Sequence, residues 1–156
     1  MLAALQARAY NRLADALEVA EAQSPHPCER LLNCCRTYLH FGLDEPVNYK
    51  LLFNYLHPRW EDHPDLVQAI DRTKHTRGMV PAQLVEQEYF IGDPVQIGYL
   101  VWTSMHGILS LHALNRSATN RTAETLFEAA LACILARYAT AKWAQWVADC
   151  GLKISA

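Results

Sequence analysis

The segment "VWTSMHGILSLHALNR", Val101 to Arg116, sets a tryptophan, a histidine and a glycine in a nearly unbroken apolar run. His106 is the group in it able to move a proton near neutral pH. Catalysis would require a nucleophile such as Ser104, Ser110 or Cys133 beside it and a third group to orient the imidazole. Ser110 lies four residues on and shares a helical face with His106. No strand-turn-helix elbow with glycines around a serine surrounds either hydroxyl, so no catalytic residue is assigned. A structural, hydrogen-bonded imidazole is the first reading of His106, and contact with a bound small molecule is the second.

Metal chemistry finds little support. A helical di-metal site wants Glu-x-x-His repeats and a zinc protease wants His-Glu-x-x-His, and neither occurs. His26-x-Cys28 and His57-x5-His63 come nearest, each in a proline-bearing loop, but seven scattered histidines produce such neighbours by chance. No metal and no cofactor is expected. Adjacent Cys34 and Cys35 point to different sides of a helix, which makes one a core thiol and the other a boundary thiol. No phosphate-binding loop or glycine fingerprint argues for a nucleotide.

The elements that must position these groups follow from the rest of the chain. Its 156 residues suit a single domain spanning 1–156 with a real hydrophobic core. A formal net charge of -2, with both signs mixed along the chain, leaves no basic patch for nucleic acid. Five cysteines cannot all pair and no secretory signal opens the sequence, which points to reduced thiols and the cytoplasm. The two sequons at Asn115 and Asn120 are then chance. Every long apolar run is broken by polar residues before the roughly 20 positions a membrane helix needs, so no membrane partner is expected.

Apolar periodicity predicts six helices and no strand. Leu2, Leu5, Ala9, Leu13, Leu17 and Ala20 stripe the first, which Ser24-Pro25-His26-Pro27 ends. Leu31, Leu32, Cys35, Tyr38, Leu39 and Leu43 stripe the second. Asp44-Glu45-Pro46 starts a short third, and the fourth begins near Leu66 with a kink or break expected at Gly78 and Pro81. Asp93-Pro94-Val95-Gln96 is close to a capping box and opens a fifth. That helix has almost no polar face and should be covered on both sides. The sixth starts near Ala123 and carries Leu126, Phe127, Ala130, Leu131, Ile134, Leu135, Tyr138 and Ala141. Its many alanines either admit a partner helix closely or simply favour helix while facing solvent.

Trp102-x-x-x-His106-Gly107, inside an apolar helix preceded by Gly92-Asp93-Pro94, resembles the C-terminal domain of TetR-family transcriptional regulators, in the subgroup named for those three letters. "YLHFGLDEPVNYKLLF", Tyr38 to Phe53, resembles the family's helix pair joined by an acid-proline step. The resemblance implies an all-α domain that binds a small effector in a core cavity and dimerises through a four-helix bundle. The fifth and sixth helices would form that bundle as a homodimer, with Leu111, Leu126, Phe127, Ala130, Leu131, Ile134 and Tyr138 at the seam. DNA would be read by an N-terminal helix-turn-helix domain, which is expected to be absent from this chain.

An effector pocket in a helical domain opens between helices and is lined by apolar and aromatic groups. Tyr38, Phe41, Phe53, Tyr55, Met79, Trp102, Met105 and His106 are the expected lining, holding an apolar or aromatic compound of modest size. A different class stays open, a ligand-free dimerisation or interaction module in which Trp143 and Trp146 anchor a partner.

Overall fold

The computed structural model describes residues 1–53, 59–113 and 122–152, and these form seven α-helices, a 3-10 turn at Trp60–Asp62 and no strand. Helix α1 (Leu2–Ala22) packs most extensively on α4 (Pro64–Glu86) and next on α2 (Pro27–Asp44). Short α3 (Pro46–Phe53) lies against both α1 and α2. Helix α5 (Pro94–Ala113) joins α4, α2 and α6 (Ala123–Tyr138), which makes it central as its sequence predicts. Most of the core is one cluster running from Leu13 and Leu17 through Leu39, Leu84, Ile97 and Leu109 to Leu131 and Leu135.

Several helix ends are fixed by the residues that mark them in the sequence. The His26 imidazole stands at the N-cap of α2 and its Nδ1 accepts from the Cys28 N–H at 3.3 Å, with Pro27 in the first turn. Asp93 Oδ1 accepts from the Val95 N–H at 3.0 Å ahead of α5. Thr122 caps α6 through the Thr125 N–H.

The structure departs from the expected pattern in three places. Helix α4 runs through Pro81 without a break. Pro81 has no N–H to offer the Arg77 carbonyl, and that carbonyl instead faces α5: a Cβ on Gly98 would stand 2.7 Å from it and 3.4 Å from Pro81 Cγ. Glycine at 98 therefore lets α5 close on the proline turn, with room for a Cα–H···O contact to the freed oxygen. The predicted sixth helix is two. It stops at Tyr138 because Ala139 pairs with Phe90 in an isolated β-bridge, and α7 (Ala141–Asp149) follows Thr140. Thr140 Oγ1 donates to the Glu88 carbonyl at 2.7 Å and pins this turn to the end of α4. Lastly, α5 is not covered on all sides, since Val95, Tyr99, Leu100 and Leu111 are exposed.

Candidate functional site

Trp102 and His106, four residues apart on α5, stack face to face with ring centroids 5.2 Å apart and planes 13° from parallel. Helices α2 and α3 supply two tyrosines that tie the pair together. Trp102 Nε1 donates to Tyr38 Oη at 3.2 Å, and Tyr49 Oη lies 2.7 Å from His106 Nδ1. Tyr38 and Tyr49 meet edge to face with ring centroids 6.3 Å apart, which links the two ends of the stacked pair. Phe53 closes it, its ring 4.4 Å from His106 in an edge contact. Burial lowers the His106 pKa from its ordinary 6.5, favouring the neutral imidazole. Burial likewise raises Tyr38 and pushes Tyr49 up to about 12, so both phenols keep their protons. Neutral donors and acceptors suit a structural role for His106.

The structure places each hydroxyl and the thiol named from the sequence among the described residues. Ser104 Oγ donates to the Leu100 carbonyl at 2.7 Å, and Ser110 interacts with Tyr49. Cys133 lies exposed on α6. Gly107 has open space where a Cβ would stand; close helix approach occurs at Gly98 and at Gly42, which abuts Leu109.

Beside this cluster, a cavity of about 310 Å³ lies between α1, α2, α4 and α5. Tyr38, Phe53, Trp102 and Met105 line it, as expected from the sequence. Phe41 sits in the core one turn farther along α2, Met79 lies at the surface of α4, and His106 stands behind the lining rings of Trp102 and Phe53. Tyr55 falls outside the described residues. Three groups of lining residues were not anticipated: Tyr10, Leu13 and Leu17 of α1, Leu31, Cys34 and Cys35 of α2, and Thr73, Thr76, Arg77 and Val80 of α4. The α4 set has the spacing i, i+3, i+4, i+7, one helical face that lies wholly before Pro81. Cys34 and Cys35 both touch the cavity, and burial pushes the Cys34 thiol up to about 12 and Cys35 higher still. Both are therefore unreactive as thiolates near neutral pH.

A second histidine is held in a similar way. His26 Nε2 lies 3.0 Å from Tyr89 Oη, and its ring stacks on Trp146 at 5.2 Å and 10°. With Nδ1 capping α2, both nitrogens are committed, and the His26-x-Cys28 pair has no ligand geometry. Among the described residues no group of three His, Cys, Asp or Glu side chains could hold a metal ion. The His57-x5-His63 pair lies partly outside the described residues. Trp143 and Trp146 are buried, packing on Phe90 and His26 within the chain.

The expected dimer stripe divides. Phe127, Leu131, Ile134 and Tyr138 are buried in the chain's own core. Leu126 and Ala130 are half-buried and Leu111 is 54% exposed. Hydrophobic periodicity alone cannot tell the face a helix turns to its own core from one it turns to a partner.

The family described as "Tetracyclin repressor-like, C-terminal domain" matches residues 31–134. A solved structure of a protein with unknown function from Rhodococcus sp. RHA1 shares the fold with a TM-score of 0.76 at 20% identity, over 89% of this chain and 72% of that one. Among curated proteins none matches. No helix among the described residues is long and apolar enough to cross a membrane.

Proposed function

Because the chain belongs to the tetracycline repressor-like C-terminal domain family, we propose that it is the effector-binding and dimerisation part of a transcriptional regulator, and not an enzyme. The observation that carries this reading is the cavity of about 310 Å³ between α1, α2, α4 and α5. It lies at the lower end of ligand-pocket sizes, roughly 300–1,000 Å³. A dry engineered cavity of about 150 Å³ takes up benzene, so twice that volume suits an apolar body of about a dozen carbon atoms. The effector contacts Leu13, Leu17, Val80, Val101 and Met105, and its aromatic neighbours are Tyr38, Phe53 and Trp102.

The partner in dimerisation is a second copy of the chain. Exposed Leu100 and Leu111 of α5 with Ala129, Cys133 and Ala136 of α6 give the face that supports this, small residues alternating with large apolar ones. Effector binding then acts by favouring one arrangement of the two subunits over another.

Native mass spectrometry and sedimentation equilibrium on the purified chain test both halves. A dimer that retains or takes up one small apolar molecule per subunit is expected, and Val101→Phe, which fills the cavity, should abolish uptake while leaving the dimer intact. A dimer that takes up nothing would favour the ligand-free interaction module, and a monomer would remove the α5–α6 interface.

A further inference from the structure

The polar groups at the cavity's edge point to the chemistry of the occupant, and the argument rests on the ligand-binding reading above. Among the described residues three arginines are half-buried: Arg30, Arg72 and Arg77. Arg30 donates to the Ser24 and Pro25 carbonyls and to Gln83, and Arg72 to Asp15, Glu18 and Asn11. Arg77 differs. Its guanidinium lies 4.6 Å from the Tyr99 ring centroid and 4.8 Å from that of Trp102, and no oxygen acceptor reaches it among the described residues. The two rings fix its position by cation–π attraction and leave its N–H groups without acceptors.

Three further observations converge on the same edge. Arg77 and Lys74 both line the cavity, whereas no aspartate or glutamate does among the described residues. Thr76, one position away, also lines it; it is only 4% exposed, and its hydroxyl has no partner among the described residues. The remaining hydroxyls there are engaged, Thr73 with the Ile70 carbonyl, Tyr10 with the Leu52 carbonyl and Tyr38 with Trp102. The Thr76 hydroxyl and the half-buried Arg77 guanidinium thus both keep hydrogen-bonding capacity for an occupant of the cavity.

We propose that the occupant is an amphipathic organic carboxylate: its apolar body of about a dozen carbon atoms fills the cavity, and its carboxylate meets the Arg77 guanidinium and the Thr76 hydroxyl on α4. The planar guanidinium presents paired N–H groups that match the two oxygens of a carboxylate. Lys74, held to Asp71 at 3.0 Å, adds positive potential at the mouth.

Isothermal titration of the full chain with decanoate, decan-1-ol and decylamine tests this. These probes share one apolar chain and differ in charge at the head. Decanoate should bind at least about tenfold more tightly than the alcohol, as one charge-assisted hydrogen bond supplies, and the amine should bind weakest. Arg77→Gln should weaken decanoate about tenfold and leave decan-1-ol nearly unchanged, with Arg77→Lys retaining most of the preference for the acid. Equal or tighter binding of the alcohol, or an Arg77→Gln variant that holds decanoate as wild type does, would overturn the carboxylate assignment while leaving the cavity a binding site. Failure of all three probes to bind, with Val101→Phe indistinguishable from wild type, would overturn the cavity's role and the carboxylate assignment with it.

Discussion

Two clusters in this molecule are made of the same three residue types and differ in how the chain assembles them. At His106, imidazole and indole are four residues apart on one helix, and each is hydrogen-bonded to a tyrosine, from α3 and α2 respectively. At His26, the imidazole comes from the turn before α2, the tyrosine hydroxyl from the end of α4 and the indole from α7. Stacking geometry is nearly the same, 5.2 Å in both, with interplanar angles of 13° and 10°. The first cluster adjoins the cavity and is half-open to it through Trp102. The second ties three chain segments into one end of the core. Placement, more than composition, decides which histidine can influence a ligand.

The largest effect that would sharpen this contrast comes from the indoles. Trp146 is buried and packs on both His26 and Trp143. Trp146→Ala is therefore expected to cost about 3–5 kcal/mol in urea unfolding, with uptake of an apolar ligand unaffected in the protein that remains folded. Trp102→Ala removes a half-buried ring that lines the cavity, and should cost only about 2 kcal/mol while changing ligand affinity. Equal losses of stability and of binding in the two variants would erase the distinction between a structural and a ligand-facing cluster.

Next comes the hydroxyl that joins the first cluster. Tyr49→Phe leaves His106 Nδ1 without its hydrogen-bond partner and should cost about 1–2 kcal/mol. His106 adds a pH dependence of definite sign. Its folded pKa is lowered by burial below the unfolded value of 6.5, so the unfolded state binds more protons as pH falls. The stability due to the neutral imidazole is complete above about pH 6.5 and is lost as pH drops toward the folded value. Melting temperatures recorded from pH 7.5 downward should fall less steeply in His106→Gln than in wild type; parallel curves would show that the imidazole is not held neutral.

A smaller change probes the second cluster. His26→Ala removes the α2 cap, worth about 1 kcal/mol, together with the contacts to Tyr89 and Trp146. His26→Asn restores a capping acceptor without the ring, so recovery of most of the lost stability would identify capping as the main role. No recovery would assign the effect to the stack and the Tyr89 hydrogen bond.

The same contrast shows what the sequence made legible. Trp102 and His106 announce themselves because a helix turns a four-residue spacing into a contact. His26, Tyr89 and Trp146 meet only through tertiary folding, and Tyr49 carries no local mark of its bond to His106. Helix starts at Pro46 and Pro94 were readable from their prolines, whereas Pro27 and Pro64, taken as the end of a helix and part of a loop, also open helices. The end of α6 was not, since Ala139 stops it by pairing with Phe90 from another segment. Four of the cavity's expected residues were identifiable as aromatic or methionine side chains facing a helical core. The α4 face was missed because Thr73, Thr76 and Arg77 are polar, whereas the expected lining was apolar and aromatic.

The smallest expected effect concerns the residue that follows His106 and has no counterpart at His26. Open space surrounds the position a Gly107 Cβ would take, so within one subunit the glycine contributes only backbone entropy to the unfolded state. Gly107→Ala should then stabilise the subunit by about 0.5–1 kcal/mol. Gly107 lies between exposed Leu100 and Leu111 on α5, the helix whose outer face is proposed to meet a second copy. A partner helix seated against it would meet the added methyl, and the dimer would weaken even as each subunit gained stability. Unfolding at low protein concentration and sedimentation equilibrium at high concentration separate the two effects. A rise in subunit stability with unchanged association would move the seam away from Gly107, toward the Ala129 and Cys133 face of α6.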